Sequence, residues 1–174
     1  YTFAFNELKD AMGLSDNIKK IEAYDVSHIS GSHAVASCIV FTKLGPQKKE
    51  YRLFNIPKDL SGNDVGSIKH VLERRIKYYE NLEIRPDVIL IDGGKTQLSY
   101  SQSVINKSEY KSIKVISIVK GSNRVRATET ILSQGGIIEL DKYSKAYLVL
   151  QEMRDESHRF AITAQRKQKR GSIK

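Results

Sequence analysis

The chain has 174 residues, enough for one domain with a hydrophobic core and few for two domains of ordinary size. It carries 29 Lys and Arg against 20 Asp and Glu, a net charge of +9. That excess favours a polyanionic partner such as nucleic acid; a basic protein without such a partner is the alternative. The single cysteine excludes an internal disulfide and a thiolate metal cluster, and no apolar run approaches the ~18 residues of a membrane span.

The first part of the sequence predicts a short helix followed by strands. Residues 1–17 form a helical lead-in, because their apolar side chains recur at helical spacing. Strands are predicted over residues 20–25, 34–42 and 49–55. Successive strands joined by short loops indicate an antiparallel meander.

The rest of the sequence alternates helices and strands. We predict a helix from Asn63 or Asp64 to about Tyr79, a buried strand that ends at Asp92, a helix over residues 95–106 and a strand over residues 115–119. A hairpin follows over residues 127–132 and 137–140, and Ser144 caps a long final helix. This order predicts one α/β domain over residues 1–174, with a mixed sheet and helices on its faces.

Two aspartates stand at the ends of apolar runs. Asp25 ends the first predicted strand, and Asp92 ends the strand that begins after Pro86. If these strands are neighbours, both carboxylates face the crevice where open α/β sheets bind ligands. Mg²⁺ or Mn²⁺ would relieve the repulsion between them, because these ions prefer oxygen ligands. The alternative for each aspartate is a turn or a helix cap.

Gly93-Gly94-Lys95-Thr96 resembles the end of a phosphate-binding P-loop, but the spacing excludes one. Ile89 stands where that loop requires its first glycine. Lys95 either reaches a phosphate from the start of a helix or is a solvated lysine. Asp64, from its surroundings alone, is an ordinary helix-cap residue.

The final predicted helix carries Arg154-Asp-Glu-Ser-His-Arg159. Arg154 and His158 share a helix face, since they are four residues apart. A histidine among charges can be a general base, a metal ligand or a plain surface residue. The basic cluster of Arg166, Lys167 and Arg170 is either a solvated helix end or a phosphate-binding patch.

Taken together, these segments resemble the C-terminal endonuclease domain of UvrC, the nuclease subunit of the bacterial UvrABC excinuclease. The resemblance runs from about residue 20 to 170 in the family's order. Its most specific strings are Leu-Ile-Asp92-Gly-Gly-Lys-x-Gln-Leu98 and Arg154-Asp-Glu-Ser-His158. The other matching strings are Ile21-Glu22, Asp25-Val-Ser-His28, Ala34-Val-Ala-Ser37, Glu50-Tyr-Arg52, Phe54-Asn-Ile56 and Asn63-Asp64.

The resemblance implies a ribonuclease H-like fold, a mixed sheet with helices on both faces. It implies a metal-dependent DNA endonuclease that makes the 5′ incision in nucleotide excision repair of damaged double-stranded DNA, as part of the SOS response in the bacterial cytoplasm. Mg²⁺ or Mn²⁺ is the implied cofactor, with Asp25 and Asp92 as metal ligands. The implied catalytic residues are Asp25, Asp64, Asp92 and His158, and we assign DNA contacts to Lys95, Arg154, Arg159, Arg166, Lys167 and Arg170.

The sequence departs from the family in a few places. Asn63 stands where the family often has an acid, and Gln165 stands where a histidine often precedes the basic tail. Full-length members also carry a second nuclease, a UvrB-binding motif and a helix-hairpin-helix pair, none of which matches this sequence. Because the chain begins with Tyr1, we expect a fragment of a longer protein that contacts UvrB through a region absent here.

Rival functions remain on the same fold. A non-catalytic DNA-binding scaffold would have lost its site acids, yet all of the family's catalytic positions are filled. A ribonuclease H would cut RNA in a hybrid. An ATP-using phosphotransferase would need a phosphate-binding hairpin, and residues 43–49 lack the glycine pattern for one.

Overall fold

The fold is a mixed sheet covered by helices on both faces. It is described by a computed structural model over residues 1–28, 34–120 and 129–172, without the side chains of Gln165 and residues 168–172. The strands are β1 Lys20–His28, β2 Ala34–Thr42, β3 Gly45–Pro46, β4 Arg52–Ile56, β5 Val88–Asp92, β6 Lys114–Lys120, β7 Glu129–Ser133 and β8 Gly136–Ile138. The helices are α1 Thr2–Met12, α2 Asp64–Ile76, α3 Lys95–Lys107 and α4 Lys145–Ser172.

The sheet has the order β3-β2-β1-β5-β6-β7-β8, and β4 pairs with β2. β2 runs antiparallel to both β1 and β4, which confirms the predicted meander. β1, β5 and β6 are parallel neighbours, whereas β7 and β8 form the predicted antiparallel hairpin. The carboxyl ends of β1 and β5 therefore meet at one edge of the sheet.

Two hydrophobic clusters occupy the two faces of the sheet. One contains buried residues of α1 and α4, and the other contains buried residues of α2 and α3. β5 contributes alternately to both, with Val88 and Leu90 in the first and Ile89 and Ile91 in the second. Burial of each such side chain contributes about 1.5–3 kcal/mol. The strand is covered on both faces, as its continuous apolar sequence predicts.

α4 packs against the sheet through one stripe of small and apolar side chains. Its first turn is capped by Ser144, whose hydroxyl accepts a hydrogen bond from the Tyr147 amide at 3.1 Å, as predicted. The stripe recurs every three or four residues, which is the helical period. The residues that recur at this spacing are Ala146, Leu150, Met153, Ser157 and Ala161, and the adjacent Tyr147 and Val149 are buried as well.

α2 begins as predicted, and the cap is Asn63. The Asn63 side-chain oxygen accepts a hydrogen bond from the Gly66 amide at 2.9 Å. Asp64 is the first residue of the helix. Because Asn63 supplies the cap, the carboxylate of Asp64 is left for another partner.

Several predicted boundaries differ from the structure. β1 extends to His28, three residues beyond its predicted end, because β2 continues to pair with it there. α2 ends at Ile76, and residues 79–81 form a short 3₁₀ turn. Residues 48–50 are also a 3₁₀ turn, so β4 starts at Arg52. The first two residues of the predicted strand 127–132 lie outside the described residues.

The side chain of Glu22 on β1 is fully buried and has a partner for each oxygen. Arg75 of α2 donates two hydrogen bonds to its Oε2, at 2.8 and 3.2 Å. The hydroxyls of Tyr24 and Tyr79 donate to its Oε1, at 2.7 and 2.6 Å. This ion pair fastens α2 to β1, an attachment that the sequence pattern did not reveal.

Candidate active site

Asp25 and Asp92 lie side by side at the carboxyl edge of the sheet. β1 and β5 pair in parallel with Tyr24 opposite Ile91, so the next residue on each strand is an aspartate. Side chains two residues apart on a strand stand on the same face of the sheet. Ala23 and Leu90, two residues before the aspartates, belong to the α1 and α4 cluster, so both aspartates lie on the α4 face. The two strands are neighbours, which was the condition under which the sequence placed both carboxylates in one crevice, so the aspartates come to one place.

Asp25 is only 8% exposed. Its Oδ2 accepts a hydrogen bond from the Ser27 hydroxyl at 3.2 Å and lies 3.3 Å from Nδ1 of His158. Burial raises the pKa of Asp25, and the negative charge of Asp64 adds to that effect, while His158 and Ser27 oppose it. Few donors therefore stabilise the charged form of this carboxylate.

The pKa of Asp92 is also raised. Loss of hydration around the carboxyl group is the first cause, and the negative charge of Asp25 is the second. Arg154, His158 and Lys120 lower it in part. Because the Asp92 side chain is still exposed, the repulsion from Asp25 is the cause that bears most on the chemistry of the pair.

His158 reaches this pair from α4. Its side chain is 62% exposed, although the residue before it is buried. When Nδ1 donates to Asp25, the carboxylate fixes the ring orientation, and Nε2 is left available to a substrate or water. Sequence spacing alone left this histidine as a general base, a metal ligand or a plain surface residue, and the structure pairs it with a buried carboxylate.

Asp64 lies at the start of α2, close enough to Asp25 for its charge to act on that carboxyl group. Its Oδ1 is 2.9 Å from Nε2 of His28, and both side chains are about half exposed. His28 was not among the predicted site residues. The sequence feature that could have identified His28 is the Asp25-Val-Ser-His28 string, because β1 continues to the end of that string.

A cavity of about 330 Å³ opens between Asp92 and α4. It is lined in part by Lys120 and Glu129, neither of which was predicted. Arg154 forms an ion pair with Glu129 and a second one with Asp155 at 2.9 Å. The guanidinium predicted to contact DNA is therefore held by carboxylates in this structure.

The glycine turn after Asp92 is shaped by Gln97. Oε1 of Gln97 accepts a hydrogen bond from the Gly94 amide at 2.6 Å. A Cβ on Gly93 would lie only 2.4 Å from that oxygen, so a side chain there would displace the glutamine. Lys95 follows at the exposed first turn of α3, where a helix N-terminus favours anions.

The remaining predicted DNA contacts lie farther along α4. Arg159 donates to both oxygens of Glu156, at 2.5 and 3.1 Å. Arg166 and Lys167 are exposed. Arg170 belongs to α4, but its side chain lies outside the described part of the chain.

Residues 1–28, 34–120 and 129–172 contain no cluster of three or more His, Cys, Asp or Glu side chains arranged to hold a metal ion. Within the same ranges, no helix has both the length and the apolar character needed to cross a membrane.

Comparison with known proteins identifies the family. A sequence profile for the UvrC RNase H endonuclease domain matches residues 9–162. The UvrABC system protein C of Nitrosococcus oceani is 39% identical over 170 residues, which are 97% of this chain and 28% of that protein. The protein of the same name from Legionella pneumophila strain Paris is 38% identical, over 95% of this chain and 27% of that protein.

The chain therefore spans less than a third of the length of these relatives. Among solved structures, endonuclease V from Streptomyces avermitilis aligns with a TM-score of 0.50 at 11% identity, over 95% of this chain and 91% of that one. That likeness concerns the fold alone. The profile match over residues 9–162 decides the assignment: the chain belongs to the UvrC RNase H endonuclease domain family.

Proposed function

We propose that this domain is a metal-dependent endodeoxyribonuclease that hydrolyses a phosphodiester bond on the 5′ side of a lesion in double-stranded DNA, in nucleotide excision repair. The observation that carries the proposal is the position of buried Asp25, beside Asp92 on the neighbouring strand and 3.3 Å from His158. The family assignment and the net charge of +9 support a nucleic-acid substrate.

The residues present fit a divalent metal ion. Asp25 and Asp92 supply carboxylate oxygens, the donors that Mg²⁺ and Mn²⁺ prefer. Loss of hydration and then repulsion from Asp25 raise the pKa of Asp92, and a cation would offset that repulsion. We assign the metal to this pair. Asp64, whose charge acts on Asp25, would have to move closer to become a further oxygen donor, since the described residues hold no cluster of three such side chains around a metal site. When bound, the ion makes water more acidic and offsets charge on the scissile phosphate.

His158 is the proposed proton acceptor for the attacking water. Asp25 holds its Nδ1 side, so Nε2 can accept a proton while the carboxylate stabilises the resulting imidazolium. The exposure of the histidine side chain leaves the ring accessible to DNA.

The side chains proposed to contact DNA differ in whether a carboxylate already binds them. Lys95, Arg166 and Lys167 are exposed and can bind phosphates directly. Arg154 and Arg159 must exchange their carboxylate partners for phosphate. Glu129 therefore competes with DNA for Arg154, and Glu156 for Arg159.

The names of the relatives place them in the UvrABC system. We propose that this chain acts in the same system in the bacterial cytoplasm. We also propose that UvrB binds to parts of the relatives that lie outside the roughly one quarter of their length that this chain matches.

A nicking assay on supercoiled DNA with Mg²⁺ or Mn²⁺ tests the function. Asp25→Asn and Asp92→Asn should abolish nicking while the thermal unfolding transition is retained, and EDTA should stop the wild type. Asp16→Asn is the matched control, because Asp16 is an exposed acid before the start of β1, at the opposite edge of the sheet. Nicking by both site variants, or in excess EDTA, would contradict the proposal; DNA binding without nicking would indicate a non-catalytic scaffold.

A further inference from the structure

A buried pair of serines joins α4 to the sheet beside the candidate active site. Ser37 of β2 is 0% exposed and Ser157 of α4 is 1% exposed. The Ser37 hydroxyl donates to the carbonyl oxygen of Ser157 at 2.9 Å, and the two hydroxyl oxygens are 2.7 Å apart. If Ser37 donates to the carbonyl, Ser157 donates to Ser37, and both hydroxyls are satisfied.

The pair lies next to the contact between Asp25 and His158. Ser37 is the direct cross-strand partner of Asp25, and the side chains of such partners stand on the same face of the sheet. Ser157 directly precedes His158 in the helix. Two neighbouring sheet residues, Asp25 and Ser37, thus contact two consecutive residues of α4.

Packing alone does not explain a hydroxyl at residue 157. The other buried members of the α4 stripe are apolar, and alanine already occupies two of those positions, Ala146 and Ala161. An alanine at residue 157 would allow an equally close approach, but apolar contacts are not directional. The paired hydrogen bonds are directional, so they fix both the distance of the helix from the sheet and its rotation about its own axis at this turn.

The other hydrogen bonds that join α4 to the sheet run through side chains of the helix. The buried Tyr147 hydroxyl bonds to both backbone groups of Glu129, and Tyr51 donates to the Glu156 carboxylate. Ser37 instead bonds to the backbone carbonyl of the helix, so the main chain itself is held.

We propose that Ser37 and Ser157 are positioning residues for the nuclease reaction, which set α4 so that His158 meets Asp25. This inference rests on the proposed function for its consequence in catalysis. The serines touch neither substrate nor metal. They act through His158, whose misplacement by about 1 Å is enough to slow a reaction on the order of 100-fold.

The test is the Ser37→Ala/Ser157→Ala double variant, which removes both hydroxyls and leaves neither unpaired. We expect it to fold, to nick DNA with a kcat on the order of 10- to 100-fold lower, and to keep the KM for DNA, because the phosphate contacts are unchanged. The ring resonances of His158 in NMR spectra of the metal-free protein should shift. A wild-type kcat with unshifted His158 resonances would overturn the inference.

Further variants separate positioning from stability. Ser157→Ala retains the bond from Ser37 to the carbonyl and should lose less kcat than the double variant; it also serves if the double variant does not fold. Ser101→Ala is the matched control, because Ser101 is a buried serine of α3, on the other face of the sheet, whose hydroxyl donates to a backbone carbonyl within its own helix. An equal loss of kcat in Ser101→Ala would contradict a positioning role.

The two proposals can fail separately. A wild-type chain that does not nick DNA with Mn²⁺ would contradict the proposed function, whereas the His158 resonances would still report whether the serine pair places the ring. A wild type that nicks, beside a double variant with the same kcat and the same spectrum, would contradict the positioning role alone.

Discussion

Two buried carboxylates on β1, which face opposite sides of the sheet, differ in the hydrogen-bond donors around them. Glu22 and Asp25 are three residues apart and 0% and 8% exposed. Glu22 faces α2, where Arg75, Tyr24 and Tyr79 donate to both of its oxygens. Asp25 faces α4 and has the Ser27 hydroxyl and the exposed ring of His158.

The difference separates a structural acid from a candidate catalytic one. Burial by itself does not indicate function, since Glu22 is the more buried of the two. A carboxylate whose partners already satisfy it has no capacity for a metal ion or substrate. Burial raises the pKa of Asp25, few donors oppose that effect, and an acidic neighbour adds to it, which is an arrangement typical of functional sites.

The largest effect on stability is expected at Glu22. Glu22→Gln leaves the guanidinium of Arg75 buried without its charge partner, so the free energy of unfolding should fall by about 3–5 kcal/mol in urea denaturation. Glu83→Gln, at an exposed glutamate, should change it by less than about 0.5 kcal/mol. Equal stability of the Glu22→Gln variant and the wild type would remove the structural role of this pair.

The next largest effect compares the two histidines of the site. His158→Asn should slow nicking about 100-fold, because it removes the proposed proton acceptor beside Asp25. His28→Asn should slow it by about tenfold or less, because the partner that the described residues provide for His28 is the half-exposed Asp64. Rates of single-turnover nicking measure both, and a larger loss in His28→Asn would reverse the assignment.

A smaller effect concerns pH. The pKa of Asp25 is higher in the fold than its ordinary value of 3.8, so the folded protein binds this proton more tightly than the unfolded chain does. The charged carboxylate therefore destabilises the metal-free fold, and this penalty grows as pH rises through the folded pKa. Asp25→Asn should therefore have a higher free energy of unfolding than the wild type at neutral pH.

The gain in Asp25→Asn should disappear at a pH below the ordinary value of the aspartate pKa, where the wild-type carboxyl group is also neutral. Urea denaturation at acidic and neutral pH without metal measures the difference. A variant that is less stable than the wild type at neutral pH would show that Asp25 has stabilising partners, like Glu22.

The smallest effect is expected on DNA affinity. Lys167→Ala removes one exposed charge from α4, so the slope of log affinity against log salt should decrease by about 1. Arg159→Ala should change the slope less, because Glu156 already holds that guanidinium. Fluorescence anisotropy with a short duplex measures both, and a larger change for Arg159 would indicate that DNA displaces Glu156.

The sequence predicts the framework of the site but not all of its contacts. Asp25 and Asp92 end apolar runs, so the sequence placed each of them at the carboxyl end of a strand, but the structure was needed to show that the two strands are neighbours. The distance between His158 and Asp25 depends on how α4 crosses the sheet, which helical periodicity does not specify. The family motif supplied that residue.

Other contacts of the site could not be predicted from the sequence, for physical reasons. His28 was missed because β1 continues past its apolar part, where polar residues still pair with β2. Glu129 lies across β6 from Asp92, and its ion pair with Arg154 joins segments that are distant in the chain. The fold class, by contrast, is confirmed. It could be predicted because it depends on the spacing of apolar residues along each helix and strand.

The central claim, that Asp25 and Asp92 together form a divalent-metal nuclease site, is tested most directly by measuring Mn²⁺ binding and DNA nicking on the same protein preparations. Titration calorimetry should detect Mn²⁺ binding in the wild type and in Asp16→Asn, and both should nick DNA. Asp25→Asn and Asp92→Asn should remain folded and lose both properties. Unchanged Mn²⁺ binding and nicking in folded Asp25→Asn would contradict the claim.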